Sequence, residues 1–114
     1  MKIIKILDED ELYRRVPSFW LKEGGNVSSA AFQNTSGTDD MSVDLGKLTT
    51  PEVTASVMKG CGVASFKAGF ARKNEQNVFH NHMIDNYAHS TVRGKKTNGI
   101  RKRLAKASIM VFTS

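Results

Sequence analysis

Met41-Ser42-Val43-Asp44-Leu45 alternates strictly between apolar and polar side chains. Successive side chains of a strand point to opposite faces, so these residues form a half-buried strand, with Met, Val and Leu set against Ser and Asp. The other segments favour short elements too. Val63 to Arg72 carries Phe66, Ala68 and Phe70 at period two and is read as a strand. Val27 to Phe32, Val78-Phe79, Ala88 to Val92 and Ser108 to Phe112 are further strand candidates, and Met1 to Asp8 reads as a first strand. Helices are fewer. Asp8-Glu9-Asp10-Glu11 places acids ahead of Leu12, Tyr13 and Val16, which suits a first helical turn that Pro17 cuts short. Thr49 and Glu52 fit a capping box for a helix running to about Gly60. Thr97 or Asn98 caps a helix through about Ala107, with Ile100, Leu104 and Ala107 on one face. About three short helices and five or six short strands give an α+β fold, with a small mixed or antiparallel sheet in a single domain over 1–114.

A chain of 114 residues is too short for an eight-unit βα barrel or a two-domain dinucleotide enzyme. No stretch approaches the roughly 20 apolar residues of a bilayer span, so no membrane is expected as a partner. The single cysteine, Cys61, excludes an intrachain disulfide and every multi-cysteine zinc site. The N-terminal apolar run ends in acid, unlike an export signal, and the cytoplasm is the expected compartment. No cofactor is expected.

Charge is unevenly placed. Residues 1–57 hold six basic and nine acidic side chains, and residues 58–114 hold eleven basic and two acidic. Arg93, Lys95, Lys96, Arg101, Lys102, Arg103 and Lys106 follow one another with no acid between them. Such a basic half bears on partners: a nucleic acid, a nucleotide or an acidic protein. Gly94-Lys95-Lys96-Thr97 resembles the end of a phosphate loop, but the glycine required five residues earlier is His89. A glycine and two lysines ahead of a helix can still hold an anion.

All three histidines lie between Phe79 and Thr97. His80 and His82 share a face if extended, and a turn at Asp85-Asn86 would bring His89 back towards them. The spacing matches no strong metal motif, and no metal is expected. His80 and His89 are the acid–base candidates, because imidazole titrates near neutrality. Asp85 and Asn86 are placed to orient such a group or hold a ligand.

Arg14 and Arg15, followed by Ser28 and Ser29, are candidate ligand-binding residues. The order of an early arginine and a serine-rich segment resembles ADP-ribosyltransferases, but neither Glu52 nor Glu75 sits in the setting those enzymes give a catalytic glutamate. A plainer reading pairs Arg14 or Arg15 with Asp44. The layout Arg-Arg-x-Pro, Ser-Ser-Ala-Ala-Phe, Met-Ser-Val-Asp and Asp-Asn-x-Ala-His-x-x-Val-x-Gly-Lys-Lys-Thr also resembles a group of small bacterial proteins, over about residues 12 to 111. That resemblance implies one compact domain and no particular activity. The chain departs from the layout at His82, where a proline after an acidic residue is expected, and this favours His80 and His89 as the pair.

Three readings follow. The first is a domain that binds a phosphate-bearing ligand, nucleic acid or nucleotide, through Arg93, Lys95, Lys96, Arg101 and Arg103. The second is a small nucleotide-directed enzyme using His80 or His89, with Arg14 or Arg15 on the ligand. The third is a protein-interaction module of a multi-gene system.

Overall fold

A computed structural model describes residues 2–114. Six strands form one sheet in the order β4-β5-β2-β1-β3-β6: β1 Glu11–Pro17, β2 Asp40–Leu45, β3 Cys61–Lys67, β4 Asn77–His80, β5 His89–Arg93 and β6 Ile109–Phe112. Every neighbouring pair is antiparallel. Three helices complete the α+β architecture: α1 Pro51–Ala55, α2 Ala68–Lys73 and α3 Asn98–Ala107. No helix among the described residues is long and apolar enough to cross a membrane.

The register assigns the two faces of the sheet. Leu12, Val16, Met41, Val43, Leu45, Phe66 and Val92 lie on one face and are buried. Ile100 and Leu104 of α3 join Phe32 over them in a single apolar cluster. The Phe32 and Phe66 rings meet edge to face, with centroids 5.8 Å apart. The opposite face is divided. Over β1 and β3, α1 contributes to a small second cluster of Ala55, Cys61 and Val63, flanked by Tyr13 and Phe112. Over β2 and β5 the same face carries Ser42, Asp44, His89, Thr91 and Arg93, and this polar half lies beyond the second cluster.

The half-buried strand expected at 41–45 is β2, and the last strand is β6. Several expectations need correction. The helix expected from the acidic run to Val16 is β1. Leu12 and Val16 fit either period, but a seven-residue ladder from Glu11↔Lys67 to Pro17↔Cys61 outweighs a short isolated helix. Its period two is masked in sequence because Arg14 sits on the apolar face. The first strand expected at 1–8 is not regular structure over 2–7, and Met1 lies outside the described residues. Val27 to Phe32 is not a strand: Ser28 Oγ accepts a hydrogen bond from the Ala30 amide and starts a 3-10 helix, Ser29–Phe32. The strand expected over 63–72 ends at Lys67, and Ala68–Lys73 turns helical with Arg72 and Lys73 at its C-terminal end. The helix expected from Thr49 begins one residue later. Thr50 Oγ1 accepts from the Val53 amide, and the helix stops at Ala55.

Candidate functional site

Ser42, Asp44 and His89 of the polar half-face form the floor of a cleft of about 430 Å³. Arg15 reaches it from β1, Ser42 and Asp44 from β2, His89 from β5, and Asp85 and Asn86 from the loop between β4 and β5. Val53, Val57 and Met83 give it an apolar rim and are 59%, 71% and 50% exposed.

Asp44 organises the floor. Its carboxylate is buried, accepts from Thr54 Oγ1 at 2.8 Å and from Asn86 Nδ2 at 2.8 Å, and lies 3.7 Å from Arg15 Nη1. A buried carboxylate is tolerable only with partners of this kind. Arg15 Nη1 also donates to the Thr54 carbonyl at 3.1 Å. Among the described residues, its Nε and Nη2 make no hydrogen bond and are available to a ligand. The pairing of an arginine with Asp44, one of the two sequence-level readings, is therefore made by Arg15.

His89 lies directly across the ladder from Asp44 and diagonally from Ser42. Its Nδ1 is 2.9 Å from the Asn81 carbonyl oxygen, and its Nε2 is 3.3 Å from Ser42 Oγ. A carbonyl only accepts, so the proton belongs on Nδ1. That leaves Nε2 as an acceptor facing the serine hydroxyl. The tautomer is thus fixed by the chain's own backbone.

His80 is placed differently. Its register partner is Ser90, so it lies on the core face while His89 lies on the other. It is buried. Its Nδ1 accepts from the Ile4 amide at 2.9 Å, and its Nε2 donates to the Tyr87 carbonyl at 2.6 Å. Both nitrogens are committed to backbone, and the imidazole holds the N-terminal segment against β4. The pairing of His80 with His89 is corrected on this geometry: the two rings face opposite sides of the sheet. No group of three or more His, Cys, Asp or Glu side chains among the described residues could hold a metal ion.

Arg14 also points to the core face, away from Arg15. It donates to the carbonyls of Ala31 at 2.9 Å and Ser42 at 2.8 Å. Burial, and secondarily the charge of Arg15, pull its pKa down to about 10, so it stays a guanidinium at neutral pH. It ties the 3-10 helix to β2. Ser28 caps that helix, and Ser29 faces a different depression.

The basic run stays mostly at the surface, with only Lys96 buried, but four of its members are held by partners within the chain. Arg93 makes a two-point contact with Asp40, at 2.6 and 3.1 Å, and stacks 4.8 Å over the Phe79 ring. Arg103 Nε donates to Asn74 Oδ1 at 2.6 Å. Arg101 donates to the Lys96 carbonyl and to Asn98. Lys96 turns inward: its Nζ donates to the Val92 and Gly94 carbonyls, each at 3.0 Å. Lys95 is exposed. Lys102 and Lys106 of α3 join Lys22, Asn26 and Ser29 around a second depression of about 450 Å³, with no acidic side chain in its lining.

Of the residues singled out in the sequence, Arg15, Asp85, Asn86 and His89 therefore converge. Arg14, His80, Ser28, Ser29 and the basic residues after position 92 lie elsewhere. Ser42 and Asp44 were legible as strand residues but not as site residues. The available signal was that both fall on the polar face of β2. Compared with protein-family models, curated proteins and solved structures, the chain matches none.

Lys96 gives a pH test of this placement. Burial outweighs the attraction of Asp39 and Asp40 and lowers its pKa from 10.5 to about 8. Between those values the unfolded chain binds the proton and the folded chain does not, so stability rises with pH. Wild type should gain on Lys96→Met by on the order of 2 kcal/mol between about pH 8 and 10, measured by urea unfolding. A stability difference that is flat across that window would contradict the buried placement.

Proposed function

We propose that this chain is a small nucleotide-directed enzyme, with His89 as the acid–base residue and Arg15 on an anionic oxygen of the ligand. The observation that carries the reading is the orientation of His89. One ring nitrogen is held on a backbone carbonyl, and the other is an unprotonated acceptor turned into a cleft beside an arginine with free donors. General acid–base groups need this combination of reach and fixed tautomer. The charge balance narrows the ligand. Asp44 already shares Arg15, and Asp85 sits at the margin, so a singly charged phosphodiester suits the cleft better than a terminal phosphate dianion. The apolar rim of Val53, Val57 and Met83 offers a base or other apolar group a surface to lie on.

A chromogenic phosphodiester, bis(p-nitrophenyl) phosphate, and a set of dinucleotides are the direct probes. His89→Ala should lower kcat/KM by about 100-fold or more. Arg15→Met should act mainly through KM, by about tenfold. Turnover that survives in His89→Ala, or no turnover of any member of the set by wild type, would contradict the reading.

A second reading has its own support. Lys102 and Lys106 are one helical turn apart, and like charges at that spacing repel. With Lys22 opposite and no acid in the depression, these lysines suit a phosphate backbone. Binding of single-stranded nucleic acid there should weaken with salt, with a log–log slope of about −2 for three contacts. The Lys102→Ala/Lys106→Ala pair should flatten that slope. A slope near zero in wild type would remove the reading.

A further inference from the structure

We propose that Ser42 is a nucleophile and that the cleft works by covalent catalysis through a Ser42–His89 dyad. The inference rests on the reading of His89 as the acid–base residue and adds the atom that attacks. Ser42 Oγ lies 3.3 Å from His89 Nε2 and has no other hydrogen-bond partner among the described residues. Because Nδ1 of that ring is held by the Asn81 carbonyl at 2.9 Å, the Nε2 lone pair is the one available to the hydroxyl. Nucleophile, base and orienting group thus stand in sequence, the arrangement that activates a serine. The orienting group is a neutral carbonyl rather than a carboxylate. It fixes the tautomer but stabilises the imidazolium less, so a modest rate is expected.

The backbone around the serine is rigid. Ser42 sits in the middle of β2, pairs with Thr91 across the ladder, and gives its carbonyl to Arg14 Nη1 at 2.8 Å. The Arg14 guanidinium behind the strand and the Arg15 guanidinium in front of it thus have different tasks. The first fixes the strand that carries the nucleophile. The second faces the same cleft as Ser42, with two unengaged nitrogens available to an anionic phosphodiester oxygen of the ligand.

The substrate class is a phosphodiester carrying an apolar group. In the first step Ser42 Oγ forms a bond to phosphorus and its proton passes to His89 Nε2, while the bond from phosphorus to the leaving oxygen, in line on the far side, breaks and that oxygen takes a proton from water. In the second step water attacks phosphorus in line with Ser42 Oγ, from the side the leaving oxygen left, and gives a proton to solvent. The bond to Ser42 Oγ then breaks, and the serine oxygen recovers a proton from His89.

An alkyl fluorophosphonate tests the dyad without knowledge of the natural substrate. Attack by Ser42 would release fluoride and leave a phosphonyl group on the oxygen. Intact mass and peptide mapping of the full chain should find one added group, on Ser42. Ser42→Ala should take none, and His89→Ala should react at least about 100-fold more slowly. The absence of a label on wild type, a label on Ser56 or Ser90 instead, or an unchanged rate in His89→Ala would overturn the proposal. Phosphodiester turnover separates it from the reading beneath it. Turnover kept in Ser42→Ala but lost in His89→Ala overturns the covalent step alone, and turnover indifferent to both changes overturns both.

Discussion

A single buried carboxylate ties together the parts of the molecule that chemistry would need. Asp44 holds Thr54 at α1, Asn86 in the loop between β4 and β5, and Arg15 on β1. These groups are 10, 42 and 29 positions away along the chain, so no local interaction gathers them. Taking a carboxylate out of water costs several kcal/mol unless its oxygens are satisfied, and satisfying them draws three segments to one point. The cleft is a consequence of that requirement.

The sheet supplies the other half of the explanation. One face is mainly apolar, with Arg14, His80 and Ser90 satisfied within it, and is covered by α3 and the 3-10 helix Ser29–Phe32. The other is sealed only over β1 and β3, because α1 is five residues long and covers no more. The remaining half-face carries Ser42, Asp44 and His89 in register. Antiparallel pairing sets Asp44 opposite His89 and Ser42 on the diagonal, within reach of the same imidazole.

What could be read from the sequence follows from this division. β2 was plain, because its two faces meet different environments and its residues alternate accordingly. β1 was hidden by Arg14, which is buried on the core face and satisfied by carbonyls rather than by acids. The short segment Val27 to Phe32 was hidden by Ser28, whose side chain competes for the backbone. The candidate site was half legible. Asp85, Asn86 and His89 were visible as a polar turn, whereas their convergence with Arg15, Ser42 and Asp44 depends on strand order. How the charge run is placed was hidden for a related reason. Arg93, Lys96, Arg101 and Arg103 find internal partners that include backbone carbonyls and side-chain amides. Carbonyls and amides leave no trace in a count of charges.

Two of the three histidines, His80 and His89, are held in opposite tautomers by the backbone. Held between the Ile4 amide and the Tyr87 carbonyl, His80 carries its proton on Nε2. Held by the Asn81 carbonyl, His89 carries its proton on Nδ1 and offers Nε2 to Ser42. Long-range proton–nitrogen correlation spectra of the folded chain near neutral pH distinguish the two forms directly. The account predicts opposite tautomers for the two rings, with Nδ1–H at His89. An Nε2–H tautomer at His89 would leave Ser42 without a base and contradict it.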